Sequence, residues 1–175
     1  EGSVRFRFNI ANPLPISRTT DTRFVVSVSS RIYAIEVPEG FSGVDIESSF
    51  SKDVKISSEV QLARRMLYYS GPFVNQGPLP PKVGAETTYT VIWSVTNSAN
   101  DVKNAVLSAS LPAYVSWKNI TSPSSENITY DSSSGSIIWN IGALKAGTGI
   151  VSPAREVAFQ VGFIPALNQV ASSPL

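Results

Sequence analysis

The chain has 175 residues, of which 42% are hydrophobic and only 15% charged, with 14 basic and 13 acidic side chains. This length allows one large domain or two small ones, and the scattered, nearly balanced charge gives no electrostatic footprint for nucleic acid. The chain has no Cys and no His, which excludes thiol nucleophiles and His-based triads and argues against a zinc site.

The first half alternates apolar and polar residues in short runs separated by turn residues, a pattern typical of all-β proteins. SVRFRFNI predicts a strand with Arg5 and Arg7 on its polar side, and RFVVSVSSRIYAIEV predicts one strand on either side of Ser29–Ser30. ANPLPISRTTDT predicts a loop, PEGFSG a turn and VDIESSF a short strand.

Residues 53–69, DVKISSEVQLARRMLYY, keep a period of two throughout. One strand of that length would be unusual, so we predict a break near Ser57–Ser58. The break would separate the last strand of one unit from the first strand of the next. A helix over 59–68 is the alternative, because LARRML is rich in good helix formers.

Residues 70–84, SGPFVNQGPLPPKVG, contain three Gly and four Pro. Proline fixes the backbone angle φ and stiffens the chain, so PLPP predicts a short extended spacer rather than a loose linker.

The second half has the clearer strands. In TTYTVIWSVTN the apolar row Tyr89, Val91, Trp93 and Val95 opposes a row of hydroxyl side chains, and NSAND then predicts a turn. Further strands are predicted in NAVLSASLP and YVSW, the second followed by the polar stretch KNITSPSSEN. ITYDSSSGSIIWNIGAL predicts a hairpin with its turn at 131–135 and the inner row Ile137, Trp139 and Ile141. REVAFQVGFI predicts a closing strand with Val157, Phe159, Val161 and Phe163 inside.

The predicted fold class is therefore all-β, with two Ig-like β-sandwich units joined by a Pro-rich linker. The expected division is an N-terminal unit over 1–69, a linker over 70–81 and a second sandwich over 82–175. Sheets in such sandwiches pack at an angle of about 30°. The likeness between VRFRFNI and VAFQVGF suggests a window cut from a tandem array of repeats.

Residues 82–165 resemble a known family in several motifs that occur in the same order. The matching residues are Gly84, Tyr89, Thr90, Thr96, Asn97, Leu111, Pro112, Trp139, Gly142, Leu144 and Gly147. This pattern is similar to that of the DUF11 family of Ig-like repeats, which often has an acidic residue where this chain has Ala109. The resemblance implies a repeat of a large bacterial or archaeal cell-surface protein, and it implies no catalytic residues.

Without His and Cys, carboxylate pairs are the remaining route to catalysis. Asp45 and Glu47 would lie about 7 Å apart on one strand face, within the range that glycosidases use. Such pairs usually come from different strands that line a cleft, so we expect no catalytic site here. NSAND and YDSSSG each offer too few carboxylates for calcium, and we expect neither a metal nor a cofactor. Lys82 and Lys103 could donate to an isopeptide cross-link, but the final strand offers no Asn.

The remaining candidate residues lie in the polar stretch and beside it. Asn119 and Asn127 each begin an N-I-T sequon and are candidate glycosylation sites. Trp93 and Trp139 lie in alternating inner rows and are expected in the core. Trp117, at a predicted strand end next to Lys118, and Tyr114 are the candidate ligand contacts.

We therefore expect a non-enzymatic spacer or stalk module of an extracellular, cell-surface protein. Its partners would be neighbouring repeats of the same polypeptide or identical subunits, with surface glycans or proteins as further candidates. No nucleic acid is expected, and no stretch reaches the roughly 18 apolar residues of a membrane span. The alternatives are an adhesin-like or carbohydrate-binding module, and a filament or sheath subunit that donates strand 4–10 or 157–164 to a neighbour.

Overall fold

The structure, a computed structural model, describes residues 3, 5–10, 14–18, 20–36 and 46–169. Within these residues the fold is all-β, as predicted, and contains no α-helix. The strands are β1 (Val25–Tyr33), β2 (Glu47–Lys55), β3 (Val60–Leu67), β4 (Thr87–Asn97), β5 (Val102–Ser110), β6 (Val115–Ser122), β7 (Asn127–Asp131), β8 (Ser136–Leu144) and β9 (Arg155–Phe163). A single 3-10 turn, Leu167–Gln169, follows them.

The strands form three antiparallel sheets. β1 and β2 make a two-stranded sheet, β3-β4-β9-β6 a four-stranded sheet and β5-β8-β7 a three-stranded sheet. The second and third sheets face each other, because the inner rows of β4, β8 and β9 form one hydrophobic cluster. These seven strands are called the sandwich below.

The core of the sandwich follows from the period-2 pattern of its central strands. Because successive side chains point to opposite faces, alternate residues of β4, β8 and β9 meet between the sheets. Trp93 and Trp139 are 6% and 0% exposed, which confirms that both are core residues. Ile137, Ile141, Val157, Phe159 and Val161 are buried with them, as the sequence predicted.

The order of the seven strands departs from that of immunoglobulin domains in one exchange. In the constant-type order the second strand pairs with the fifth. Here β4, the second strand of the sandwich, pairs with β9, the last one, while β7 joins the smaller sheet. The 4+3 division of an immunoglobulin domain is thus reached with a different central strand.

Two expectations for the first half need correction, the division at Ser29–Ser30 and the strand over SVRFRFNI, and two are confirmed. β1 runs unbroken through Ser29–Ser30. The predicted strand after Ser57–Ser58 is confirmed as β3, Val60–Leu67, and the alternative helix over 59–68 is not formed. Residues 5–10 alternate but lie in no strand, because no described strand pairs with them. The break near Ser57–Ser58 is confirmed, since β2 ends at Lys55 and β3 begins at Val60. The predicted turn at 38–43 lies outside the described residues.

The Pro- and Gly-rich segment joins two strands of the same sheet. It connects β3 to β4, which are neighbouring antiparallel strands, so it does not run between separate sheets as an extended spacer. Residues 70–78, called the strap below, fold back over the outer face of that sheet. Asn75 Nδ2 donates to Thr90 Oγ1 at 3.1 Å, and Gln160 Nε2 donates to the Val74 carbonyl at 3.0 Å.

The strap also covers part of the outer face of the larger sheet, where the row of hydroxyl side chains lies. Thr88, Thr90 and Gln160 are at most 9% exposed, although their hydroxyl and amide groups suggested contact with water. Each is hydrogen bonded to the strap, as buried polar groups must be. An N-terminal sandwich over 1–69 stays a prediction, because the described residues before β3 form one two-stranded sheet.

Candidate functional site

The turn after β4 brings three parts of the chain together. The Asn97 side chain is fully buried, and its Nδ2 donates to the carbonyls of Asn100, Leu144 and Lys145 at 2.8, 3.2 and 3.0 Å. Asn97 Oδ1 has no hydrogen-bond partner in the described residues. Two motif positions of the family resemblance, Asn97 and Leu144, therefore meet in one structural joint.

Asn100 connects the same turn to the two-stranded sheet. Its Oδ1 accepts from the Phe24 backbone N–H at 3.0 Å, and its Nδ2 donates to the Ile56 carbonyl at 2.6 Å. Ser58 Oγ donates to the Asn100 carbonyl at 2.6 Å. The sequence predicted only a turn at NSAND and missed this role of Asn100, because its partners are 42 to 76 residues away.

Neither loop that was weighed for calcium has carboxylates free to bind it. Asp101 accepts from Lys145 Nζ at 2.8 Å and from the Ala146 N–H at 3.0 Å, and these bonds hold its pKa below the usual value. Asp131 accepts from the hydroxyls of Ser133 and Ser134, and its pKa is lowered to about 2. The described residues contain no group of three or more His, Cys, Asp or Glu that could hold a metal. Asp45 lies outside them.

The two candidate ligand contacts are both half-buried. Trp117 stacks on Tyr130 at 5.6 Å between ring centroids and lies 5.1 Å from the Phe159 ring. The Tyr114 ring meets Phe163 edge-on at 5.9 Å. Trp117 therefore bridges the two sheets at one side of the core, and a ligand contact at either residue stays a prediction.

Both sequon asparagines have exposed side chains. Asn119 lies where β6 shifts its register against β9, and its φ is 56°. Asn127 begins β7, which lies at one edge of the smaller sheet. Glycosylation at these positions stays a prediction.

A buried carboxylate that the sequence did not single out lies in the loop after β6. The Glu126 side chain is 7% exposed and accepts from Trp139 Nε1 at 2.8 Å and from Arg155 Nε at 2.7 Å. Because buried charges need partners, this triad fixes the 123–126 loop to the core.

A second ion pair lies on the outer face of the larger sheet. Glu86 accepts from Lys118 Nζ at 3.0 Å and from Ser116 Oγ at 3.1 Å. The hydrogen bond from Lys118, followed by that from Ser116, lowers the pKa of Glu86. Both charged side chains are about one third exposed, and ion pairs at such partly exposed positions contribute little to stability.

A shallow groove of about 580 Å³ lies beside the N-terminal end of β3. Ile10, Leu14, Ile16 and Ile150 form its apolar lining, and Glu59 and Gln61 contribute polar groups. Since it contains a single carboxylate and no paired catalytic groups, its geometry indicates no reaction.

Comparison with known proteins adds no further assignment. No family model matches the chain, and no curated protein or solved structure is significantly similar to it. No helix in the described residues is long and apolar enough to cross a membrane.

Proposed function

We propose that the sandwich is a non-enzymatic, load-bearing spacer module of a large extracellular surface protein. One observation supports this most directly. β3 is antiparallel to β4, and β4 is antiparallel to β9, so β3 and β9 run parallel. The chain therefore enters the sandwich at one pole and leaves it at the opposite pole, which is the connectivity that a module in a linear array requires.

The contacts at the two poles fit this arrangement. The two-stranded sheet is bonded to Asn100 at the pole where β3 begins. At the other pole, the Gly84 N–H donates to the carbonyl of Pro165, just after β9. With eight residues in β3 and nine in β9, each module would lengthen an array by roughly 25–30 Å.

Tension along the array would load the larger sheet in shear. The β3–β4 ladder has eight residue pairs and the β4–β9 ladder has nine. A force along these strands acts on all the hydrogen bonds of a ladder together, whereas a force across one end opens them singly. The strand order thus favours resistance to stretching.

The extracellular location and the Ig-like, DUF11-type assignment are part of the proposal. The Cys-free composition, the low charge, the two exposed sequons and the motif order of residues 82–165 support them. No observation favours the carbohydrate-binding alternative, because the Trp117 ring is engaged with Tyr130 and Phe159.

Force spectroscopy with site-specific handles tests the mechanical role. The chain has no Cys, so Ser57→Cys with Leu167→Cys provides two unique attachment points at opposite poles. Ser57→Cys with Lys103→Cys places both handles at the pole where β3 begins, and this pair is the matched control. We expect unfolding at a several-fold higher force in the first geometry. Equal forces in the two geometries would contradict a load-bearing role.

A further inference from the structure

The inner face of β3 is uncovered. The register with β4 places Leu62 beside Val95 and Met66 beside Val91, so Leu62 and Met66 lie on the core side of the sheet. Leu62 is nonetheless 46% exposed and Met66 is 64% exposed, against 3% for Val95. The buried layer therefore ends at β4 and leaves on β3 an apolar strip of Leu62 and Met66, which the exposed Arg64 opposite Trp93 interrupts.

The strip is exposed because the smaller sheet has one strand fewer. Trp117 of β6 stacks on Tyr130 of β7, so β6 lies opposite β7. β8 and β5 then cover β9 and β4, in agreement with the members of the core cluster. Among the described strands none lies opposite β3, and none pairs with the second edge of β5. A strand added beside β5 would fill this position.

A segment of matching pattern, residues 5–10, pairs with none of the described strands. Within residues 5–10, Phe6, Phe8 and Ile10 are 63%, 53% and 47% exposed. The Phe6 and Phe8 rings lie on the same side, with centroids 6.3 Å apart. In an extended chain, Phe6 to Ile10 spans about 13 Å, the same distance as Leu62 to Met66.

The segment of the same molecule is held on the wrong face to fill this position. Ile10 lines the groove with Gln61 and Thr96, which are paired with each other and point away from the core side of the sheet. β5 lies in the other layer, about 10 Å away. The segment of a second copy, once it has left its own groove, can approach this edge of β5 directly from solvent.

We propose that residues 5–10 of one copy add as a strand to the open edge of β5 in a second copy. Phe6, Phe8 and Ile10 would then cover the apolar strip on β3. Backbone hydrogen bonds provide affinity in such strand addition, and alternate side chains provide specificity. Because each copy has one donor and one acceptor at different places, assembly proceeds head to tail. This proposal does not depend on the load-bearing role.

The structure also corrects the earlier filament alternative. Strand 157–164 was a second candidate donor in the sequence, but β9 is hydrogen bonded to β4 on one side and β6 on the other. Of these two candidate donors, the segment 5–10 is left.

Two variants with complementary defects test the proposal. The donor variant is Phe6→Ser with Phe8→Ser, and the acceptor variant is Leu62→Glu with Met66→Glu, all at exposed positions. Sedimentation velocity should show oligomers of the wild type that grow with concentration. Each variant alone should associate at least about tenfold more weakly. A mixture of the two should form a 1:1 complex that grows no further, since one functional donor meets one functional acceptor.

A control variant and a peptide complete the experiment. Val74→Ser with Leu167→Ser removes side chains that are 84% and 80% exposed elsewhere, and it should associate like the wild type. Should the acceptor variant not fold, a peptide of residues 3–12 should dissociate wild-type oligomers, and the same peptide with both Phe replaced by Ser should not. A wild type that stays monomeric at about 1 mM, a donor variant that assembles normally, or a peptide without effect would overturn the proposal.

Discussion

The two-stranded sheet and the sandwich are both built from alternating strands, yet their burial differs completely. Every residue of β2 is exposed, whereas the inner residues Trp93 and Val95 of β4 are at most 6% exposed. Alternation decides which face a side chain occupies, and the presence of a second layer decides whether that face is dry. A two-stranded hairpin alone is marginally stable in water. Its stability therefore depends on outside contacts such as the hydrogen bonds of Asn100 with Phe24 and Ile56.

The largest expected difference between the two regions is at their aromatic side chains. Trp139→Ala removes a fully buried ring from the sandwich, and we expect a loss of about 3–5 kcal/mol in the free energy of unfolding. Phe50→Ala removes a ring that is 62% exposed on β2, and its effect should be within about 0.5 kcal/mol. Urea denaturation followed by circular dichroism measures both. Similar losses in the free energy of unfolding for the two variants would show that the two-stranded sheet also has a buried face.

Two glycine substitutions test whether the strap is packed firmly against the larger sheet. Gly77 has a φ of 103°, and a Cβ there would overlap the backbone of Glu86 and Thr87. Gly77→Ala should cost roughly 2–4 kcal/mol. Gly84→Ala is the matched control, because Gly84 has a φ of 73° but no heavy atom within 4 Å of a Cβ, and its cost should be about 1 kcal/mol. Equal melting temperatures for the two variants would mean that the strap is not fixed to the sheet.

Asn97 tests how much the joint at the entry pole contributes to the sandwich. Asn97→Ala removes the amide donor from three backbone carbonyls, one of which keeps the Ser58 hydroxyl as a donor, and we expect a loss of about 2–3 kcal/mol. Chemical denaturation gives the value. A loss below about 0.5 kcal/mol would show that water replaces the amide without cost.

Asn100→Ala should destabilise the two-stranded sheet and leave the sandwich unchanged, whereas Asn97→Ala should destabilise the sandwich. It removes the hydrogen bonds to Phe24 and Ile56, so local opening of the two-stranded sheet should become easier by about 1 kcal/mol. Amide hydrogen exchange should accelerate in β1 and β2 and stay unchanged in β8 and β9. Acceleration in both regions would indicate that they unfold as one unit.

The smallest effect is expected at the turn between β7 and β8. The pKa of Asp131 falls from 3.8 to about 2, chiefly through hydrogen bonds from Ser133 and Ser134. Its folded-state pKa is depressed, so its stabilising contribution is present above pH 3.8 and is lost as the pH falls towards 2. The stability difference between wild type and Asp131→Asn should therefore shrink over this range. Carboxyl-carbon NMR should show a midpoint near 2, and a midpoint near 3.8 would contradict the hydrogen-bonded turn.

The alternation of residues within single strands and the residue types in turns were enough to predict the buried row of β8 and the turn that precedes it. The row Ile137, Trp139 and Ile141 is buried as expected, because large apolar residues at a period of two form one apolar face that folding removes from water. The hairpin turn at 131–135 was visible from Asp131 and Gly135, whose chemistry suits a tight reversal.

Features that depend on distant partners were not predictable. A Pro- and Gly-rich segment has the same composition whether it extends as a spacer or folds back as the strap. Its position is set by Gln160, which is 85 residues from Asn75. Trp117 stood at a predicted strand end, but only the opposing sheet shows that its ring meets Tyr130.

The central position of β9 has a consequence for biosynthesis. β9, the last of the described strands, lies between β4 and β6, so neither has its neighbour on that side until β9 has been made. A nascent chain that has emerged only as far as β8 contains the other strands of the larger sheet without β9 between them. Contacts between residues so far apart in sequence slow folding, and unpaired edges favour aggregation meanwhile. We therefore expect the sandwich to fold only after β9 has been made.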